Sequence, residues 1–160
     1  MNAWPKPVER VAAVLRTSGV DARLEEFPEG TPSAAAAARA VGCDSSQIVK
    51  SLVFVCDTRP VLALVPGDRR ADAAKVAAAA TARYARVARP EEVLSATGFE
   101  PGAVAPFPAP KVSRVLLERR LLRHALVWVG AGSAQHMAGL SPLDLARLAR
   151  AEVGDLADES

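Results

Sequence analysis

Residues 31–54 read TPSAAAAARAVGCDSSQIVKSLVF and change abruptly from one local pattern to another. The first half is an alanine run that follows Ser33, and alanine is the strongest helix former while serine is a preferred N-cap. Gly42 predicts the end of this helix. The second half continues into residues 47–56, QIVKSLVFVC, which are rich in Val, Ile and Phe and predict a buried strand.

Patterns along the rest of the chain predict helices interspersed with strands. Residues 57–59 are typical of a turn that joins the strand at 47–56 to a hairpin partner at 60–65. Prolines in residues 98–110 predict a loop, because proline lacks the backbone donor that helices and central strands need. Further helices are predicted at 8–18, 71–80, 90–96 and from Pro142, and further strands at 21–27, 84–87, 112–117, 125–129 and 136–140. The predicted fold class is α/β: a single domain with a mixed central β-sheet surrounded by helices.

Length and composition indicate one domain with an uneven charge distribution. The 160 residues are half apolar but only 4% aromatic, so the core is predicted to consist of Ala, Val and Leu. Residues 69–123 carry eleven Lys and Arg against five Asp and Glu, which either attracts a phosphate backbone or forms a solvated surface. We expect the core to span about residues 8–150 and residues 152–160 to form an acidic tail.

Several classes of chemistry are excluded by motifs that the sequence lacks. It has no phosphate-binding GxxxxGK[ST] segment, and after the GAG at 130–132, Gln135 stands where a dinucleotide fingerprint needs its third glycine. Two histidines and two distant cysteines argue against a metal cluster, so neither a metal nor a cofactor is expected. The N-terminus lacks the apolar run of a signal peptide, and no segment approaches the ~20 apolar residues of a membrane span, which predicts a cytoplasmic protein.

Lys50 is the most unusual residue of the predicted strand. By alternation it shares a face with Ile48, Leu52 and Phe54, yet a lysine is almost never fully buried without a partner. Two interpretations stay open on the residues alone. Either the strand end is exposed and the side chain snorkels, or the ammonium enters a cleft and meets an anion or a carbonyl group.

Two further segments combine glycine with rigid or polar neighbours. GAVAP, residues 102–106, is a stiff loop whose backbone N–H groups suit a carboxyl-derived oxygen, although a plain proline-rich connection explains it as well. GAGSAQH, residues 130–136, follows a strand, allows a ligand to approach closely and offers Ser133 and His136 as polar groups. A strand-end turn with a surface histidine is the alternative.

These segments occur together and in this order, and with them the chain resembles the YbaK/EbsC family, which also includes the editing domain found in or beside prolyl-tRNA synthetases. The resemblance covers nearly the whole length. It is carried by residues 31–54, by GFEPGAVAP at 98–106, which is similar to the family's GxxxP loop, and by WVGAGSAQHMAGLSPLDLARL at 128–148. It implies a mixed central sheet surrounded by helices, as the local patterns also predict.

The resemblance implies roles for individual residues. Lys50 corresponds to the family's essential lysine, residues 102–106 to the loop that holds the aminoacyl moiety, and Thr31 falls near the same pocket. The implied site consists of catalytic Lys50 and substrate-binding Thr31, Gly102, Ala103, Val104, Pro106, Gly132, Ser133 and His136.

The function implied by the resemblance is hydrolysis, in trans, of the ester bond of mischarged aminoacyl-tRNA of the cysteinyl, alanyl or seryl type. Such an ester is activated, so positioning a water and stabilising the developing oxyanion suffice without a triad. The expected partner is the acceptor end of the tRNA, with a synthetase or an elongation factor as candidate docking partners; neither a membrane nor DNA is expected. Two other functions stay open: a non-catalytic module that binds aminoacyl-tRNA or a nucleotide, and a regulatory partner of a synthetase.

Overall fold

The alanine run forms a helix for the reasons that its sequence suggests. In the computed structural model, which describes residues 4–159, the Ser33 hydroxyl accepts the N–H of Ala36 at 3.1 Å and Gly42 ends the helix with φ 77°. The helices of the described residues are α1 (Lys6–Ser18), α2 (Ala34–Val41), α3 (Ala73–Ala79), α4 (Pro90–Thr97) and α5 (Pro142–Ala149). The strands are β1 (Arg23–Glu26), β2 (Val49–Cys56), β3 (Arg59–Pro66), β4 (Ala85–Val87), β5 (Arg114–Glu118), β6 (Val127–Ser133), β7 (His136–Leu140) and β8 (Ala151–Gly154). Short 3-10 turns at Ser45–Gln47 and Arg119–Arg123 precede β2 and β6.

The larger sheet has five strands in the order β4-β2-β3-β5-β8, and it is mixed. β2 pairs antiparallel with β3 and β4, whereas the β3–β5 and β5–β8 pairs are parallel. The predicted mixed sheet is therefore confirmed. The β2–β3 hairpin closes at Cys56 and Arg59, so its turn has two residues rather than the predicted three. Asp57 adopts the positive φ of 57° that two-residue hairpin turns require.

A second, antiparallel sheet of three strands in the order β1-β7-β6 is not part of the sequence-based prediction. It meets the larger sheet where Ile48 and Trp128 form a parallel bridge. The GAGS segment, predicted to follow a strand, lies inside β6, and the β6–β7 register shifts between Gly130 and Ser133. Glycine permits this irregularity because it has no Cβ, and Gly132 has φ 100°.

The larger sheet is covered by apolar residues on both faces. One face meets the smaller sheet and α1 in a cluster that includes Val11, Val53, Leu64, Val129 and Ala138. The other face packs against α3 in a cluster that includes Phe54, Val61, Val65, Val76 and Leu116. Residues 61–65 of β3 are at most 1% exposed, as expected of a central strand that is buried on both sides.

The segment 152–160, expected to be an acidic tail outside a core at 8–150, is instead part of the fold as far as residue 159. β8 pairs with β5, and Leu156 and Ala157 are completely buried. The cause is Glu118, a fully buried carboxylate that accepts the backbone N–H groups of Leu156 at 2.9 Å, Ala157 at 3.1 Å and Arg120 at 2.7 Å. Composition alone could not reveal this, because the anchoring residue lies 38 positions away.

Two acidic residues of this segment, Asp155 and Glu159, pair with Lys75. Lys75 lies 3.2 Å from the Asp155 carboxylate and 2.9 Å from that of Glu159. Its ammonium additionally donates to the Ala157 carbonyl at 2.8 Å. These contacts join residues 155–159 to Lys75 of α3.

We expect Glu118→Gln to lower the free energy of unfolding by about 1–3 kcal/mol, because an amide has one oxygen where the carboxylate has two and leaves a buried N–H without its acceptor. Urea unfolding measures the loss. Glu152→Gln is the control: it removes an exposed partner of Arg114 and should change stability by less than about 1 kcal/mol. Equal losses in the two variants would contradict the anchoring role of Glu118.

Candidate active site

A cavity of about 360 Å³ opens between β2, β6 and the loop that contains residues 102–104. β2 and β6 run side by side at the Ile48–Trp128 bridge and then separate, and the cavity occupies the opening between them. Six of the nine predicted site residues line it: Thr31, Lys50, Gly102, Val104, Ser133 and His136. The fold thus brings together segments that are about a hundred positions apart in the sequence.

Three predicted residues, Ala103, Pro106 and Gly132, do not line this cavity. Ala103 is buried, and Pro106 lines a separate cavity together with Phe107. Gly132 lies against the start of α1, where a Cβ would come within 2.7 Å of the Pro7 carbonyl oxygen. Gly132 therefore lies outside the lining of this cavity, and its small size serves the close approach of α1.

Lys50 is half-buried, and its ammonium donates a hydrogen bond to the Arg69 carbonyl oxygen. Of the two interpretations left open by the sequence, the structure favours the cleft, because the side chain lines the cavity and meets a carbonyl group. Burial lowers the pKa of Lys50 below its ordinary value, and the Arg70 charge lowers it further. Asp68 and Asp158 act in the opposite direction and favour the charged ammonium.

Ser51 lines the cavity at an edge of β2 that β4 does not cover. β4 pairs only with residues 54–56 of β2, and the Val53 carbonyl points away from β3, since it accepts the N–H of Ala88 at 2.9 Å. Backbone groups of alternate residues point to the same side of a strand, so the N–H and C=O of Ser51 face the same open edge. Its hydroxyl oxygen is buried and has no hydrogen-bond partner among the described residues. Sequence analysis missed Ser51 because its neighbours by alternation are all valines.

Gly130 allows the loop at residues 102–104 to pack closely against β6. A Cβ at this position would lie 2.8 Å from the Val104 carbonyl oxygen, a distance at which one of the two must move. Gly130 also lines the cavity. The glycine therefore fixes the separation between the loop and the strand, and with it the width of the cavity.

His136 forms a polar part of the wall and is only 3% exposed. Its Nδ1 lies 2.6 Å from Ser133 Oγ, which also accepts the Gln135 N–H at 3.0 Å. A hydroxyl oxygen accepts two hydrogen bonds and donates one, so which of Ser133 Oγ and Nδ1 is the donor depends on the imidazole tautomer. Nε2 is 3.7 Å from Glu26, and the Trp4 ring meets the imidazole edge-on at 5.4 Å. The ring is therefore held in one orientation.

Two kinds of site are not found in the part of the chain that the structure describes. Among residues 4–159, no group of three or more His, Cys, Asp or Glu side chains is placed to hold a metal ion. No helix in the same range is long and apolar enough to cross a membrane.

Comparisons with known proteins agree with this geometry. The family model for the aminoacyl-tRNA editing domain matches residues 28–148. The uncharacterized protein YwhH of Bacillus subtilis is 32% identical over 131 residues, which cover 81% of this chain and 83% of that protein. A proline–tRNA ligase of Acidithiobacillus ferrooxidans is 32% identical over 126 residues, or 78% of this chain. The chain spans only about a fifth of the length of such ligases, 22% in this case.

Among solved structures, the chain is similar to a protein proposed to be a trans-editing enzyme for prolyl-tRNA synthetase. The TM-score is 0.89 at 35% sequence identity, and the match covers 98% of this chain and 99% of the other. The family model, the full-length relative and the shared fold lead to one conclusion. The chain belongs to the aminoacyl-tRNA editing domain family.

Proposed function

We propose that this chain hydrolyses, in trans, the ester bond of mischarged aminoacyl-tRNA. The observation that carries the proposal is that Lys50, Ser51, Val104 and His136 line one cavity. A cation and backbone donors beside a small apolar space suit the carbonyl end of an aminoacyl ester. Action in trans is supported by the similarity, over nearly the full length of both chains, to a proposed trans-editing enzyme.

The proposed chemistry requires few groups. The ester of an aminoacyl-tRNA is activated and has a ribose hydroxyl beside it, so the site has to orient the ester and stabilise the developing oxyanion. Lys50 remains protonated and binds either the phosphate of the terminal adenosine or the ester carbonyl oxygen. The outward N–H of Ser51 is a second donor to that oxygen, and the loop at 102–106 orients the ester.

The walls of the cavity combine small residues, Ala34, Ala37 and Gly130, with the larger apolar Ile48 and Met137. On the family resemblance, we propose cysteinyl-, alanyl- or seryl-tRNA as the substrate type, carried on a proline or related acceptor. A pocket of this kind discriminates side chains that differ by one methylene by only about 1–3 kcal/mol.

The proposed partner is the acceptor end of the tRNA, and the proposed location is the cytoplasm, where tRNA is aminoacylated and used. A synthetase or an elongation factor is proposed as a docking partner that delivers the substrate. The alternative function is a module that binds aminoacyl-tRNA or a nucleotide without turnover. Hydrolysis is favoured over it because Lys50 and the uncovered edge of β2 at Ser51 line the same cavity.

Lys50→Ala should reduce deacylation of the preferred mischarged tRNA by about 100-fold or more, which is the typical loss when one oxyanion donor is removed. The assay uses purified protein and a panel of alanyl-, cysteinyl- and seryl-tRNAs, with correctly charged prolyl-tRNA as a specificity control. Lys111→Ala, which removes an exposed lysine outside the cavity, should retain the activity of the unmodified chain. If the unmodified chain binds these tRNAs but hydrolyses none, the non-catalytic alternative is correct. A near-normal rate in Lys50→Ala would remove Lys50 from the mechanism.

The rate should also fall at alkaline pH. Because Lys50 acts as a cation and burial lowers its pKa, activity is full below that pKa and is lost as the pH rises through it. The loss therefore occurs at lower pH than for an ordinary lysine. It is measured as the enzymatic rate after subtraction of spontaneous hydrolysis. Any residual rate of Lys50→Arg should lack this alkaline loss, since a guanidinium stays charged. A rate that instead increases through this range would identify Lys50 as a general base.

Gly130→Ala should lower the deacylation rate by about tenfold or more, because the added methyl group displaces the loop by the few tenths of an ångström to an ångström at which positioning fails. Gly154→Ala is the matched control. Its Cβ would meet only the Ala79 side chain, at an ordinary 3.9 Å. Both variants are first compared by urea unfolding, so that a loss of activity in a folded Gly130→Ala is separated from a loss of stability. Full activity in that variant would refute the assigned cavity width.

A further inference from the structure

The loop between β3 and α3, residues 67–72, contains the carbonyl that accepts the Lys50 ammonium. This loop is in turn hydrogen-bonded to the C-terminal segment, defined here as residues 155–159. The Asp158 N–H donates to the Arg70 carbonyl at 2.9 Å, and the Asp72 N–H donates to the Leu156 carbonyl at 2.8 Å. Ala71 and Ala157 form an antiparallel bridge between these two bonds. The residue directly before this paired stretch is Arg69, whose carbonyl accepts the Lys50 ammonium. The C-terminal segment thus fixes the backbone that positions the lysine.

This segment has a firm attachment of its own. The buried Glu118 carboxylate accepts the N–H groups of Leu156 and Ala157, and Lys75 pairs with Asp155 and Glu159 on either side. Asp158 therefore occupies a defined place beside the Lys50 loop.

The Asp158 carboxylate is unusual in its surroundings. Its Oδ1 is buried and has no hydrogen-bond partner among the described residues. A buried carboxylate oxygen without a donor is costly, and a nearby positive charge is the usual compensation. The charges that act on the Lys50 ammonium are those of Asp68 and Arg70 in the loop and of Asp158 in the C-terminal segment.

We infer that Asp158 is a positioning residue for the site, and that its carboxylate keeps the half-buried Lys50 ammonium charged while its backbone N–H holds the loop. The catalytic part of this inference rests on the proposed deacylase function. The electrostatic part does not, because it concerns Lys50 in the free protein. Arg70 opposes the effect of Asp158, so the balance at Lys50 depends on where the C-terminal segment lies.

The experiment is an NMR titration of Lys50 in protein labelled with ¹³C and ¹⁵N at lysine. The chain has four lysines, and the Lys50 signal is identified by its absence from Lys50→Arg. In Asp158→Asn the titration midpoint of Lys50 should move to lower pH, because a carboxylate that favours the ammonium has been removed. Asp155→Asn is the matched control: it removes the same charge from the same segment, at a residue that pairs with Lys75 instead. It should leave the Lys50 midpoint in place.

A second variant covers the case in which Asp158→Asn fails to fold. Asp158→Ala keeps the backbone N–H that donates to the Arg70 carbonyl, lacks the side-chain carboxylate, and should show the same downward movement of the midpoint. Asp158→Glu should restore it. In the deacylation assay the alkaline loss of activity should move in the same direction as the midpoint, an effect that a purely structural role would not produce.

The outcomes separate the two proposals. An unchanged Lys50 midpoint in folded Asp158→Asn, or an equal movement in Asp155→Asn, overturns the inference. A midpoint that moves as expected, in a protein that hydrolyses no mischarged tRNA, supports the electrostatic role of Asp158 and refutes the deacylase function.

Discussion

The Lys50 ammonium lies at the edge of an apolar strand, where burial disfavours its charged form, and a chain of long-range contacts holds it in place. Lys50 reaches the Arg69 carbonyl, and the loop that carries this carbonyl is paired with the C-terminal segment. That segment is held by the buried carboxylate of Glu118. Each support is a hydrogen bond to backbone, which fixes position without adding a further mobile side chain. The ammonium is therefore placed by long-range contacts and not by its own strand alone.

The local patterns of the sequence were sufficient for most elements but not for their arrangement. The cap at Ser33, the stop at Gly42 and Pro142 at the start of α5 are signals carried by a few adjacent residues, and each appears as predicted. The second sheet and the role of residues 152–159 depend on pairing between distant segments. A charge-rich composition is typical of a solvated tail. Here, however, β8 pairs with β5, and the distant Glu118 binds the backbone of the buried residues that follow.

The candidate site, too, was predictable only where the signal lies in a few adjacent residues. Lys50 could be singled out because a charge in an apolar strand is anomalous in the sequence itself. Gly130 and Gly132 look equivalent there, yet the irregularity in β6 turns one toward the Val104 carbonyl and the other toward Pro7. Ser51 was not predicted as a site residue, because the property that matters is the orientation of its backbone. That orientation depends on where β4 stops pairing with β2. The face and edge of a strand that a ligand meets are properties of the sheet, which a one-dimensional pattern does not contain.

The charges around Lys50 bear on its chemical role. A general base works best with a pKa near the working pH, and burial alone would move a lysine in that direction. Burial is the largest influence on Lys50 and its pKa is lowered overall; the Arg70 charge reinforces this effect, whereas the Asp68 and Asp158 carboxylates oppose it. The two carboxylates therefore limit the loss of positive charge without cancelling the effect of burial. The proposed role of Lys50 as a cation that binds an ester oxygen or a phosphate depends on them, with proton transfer left to water and the substrate.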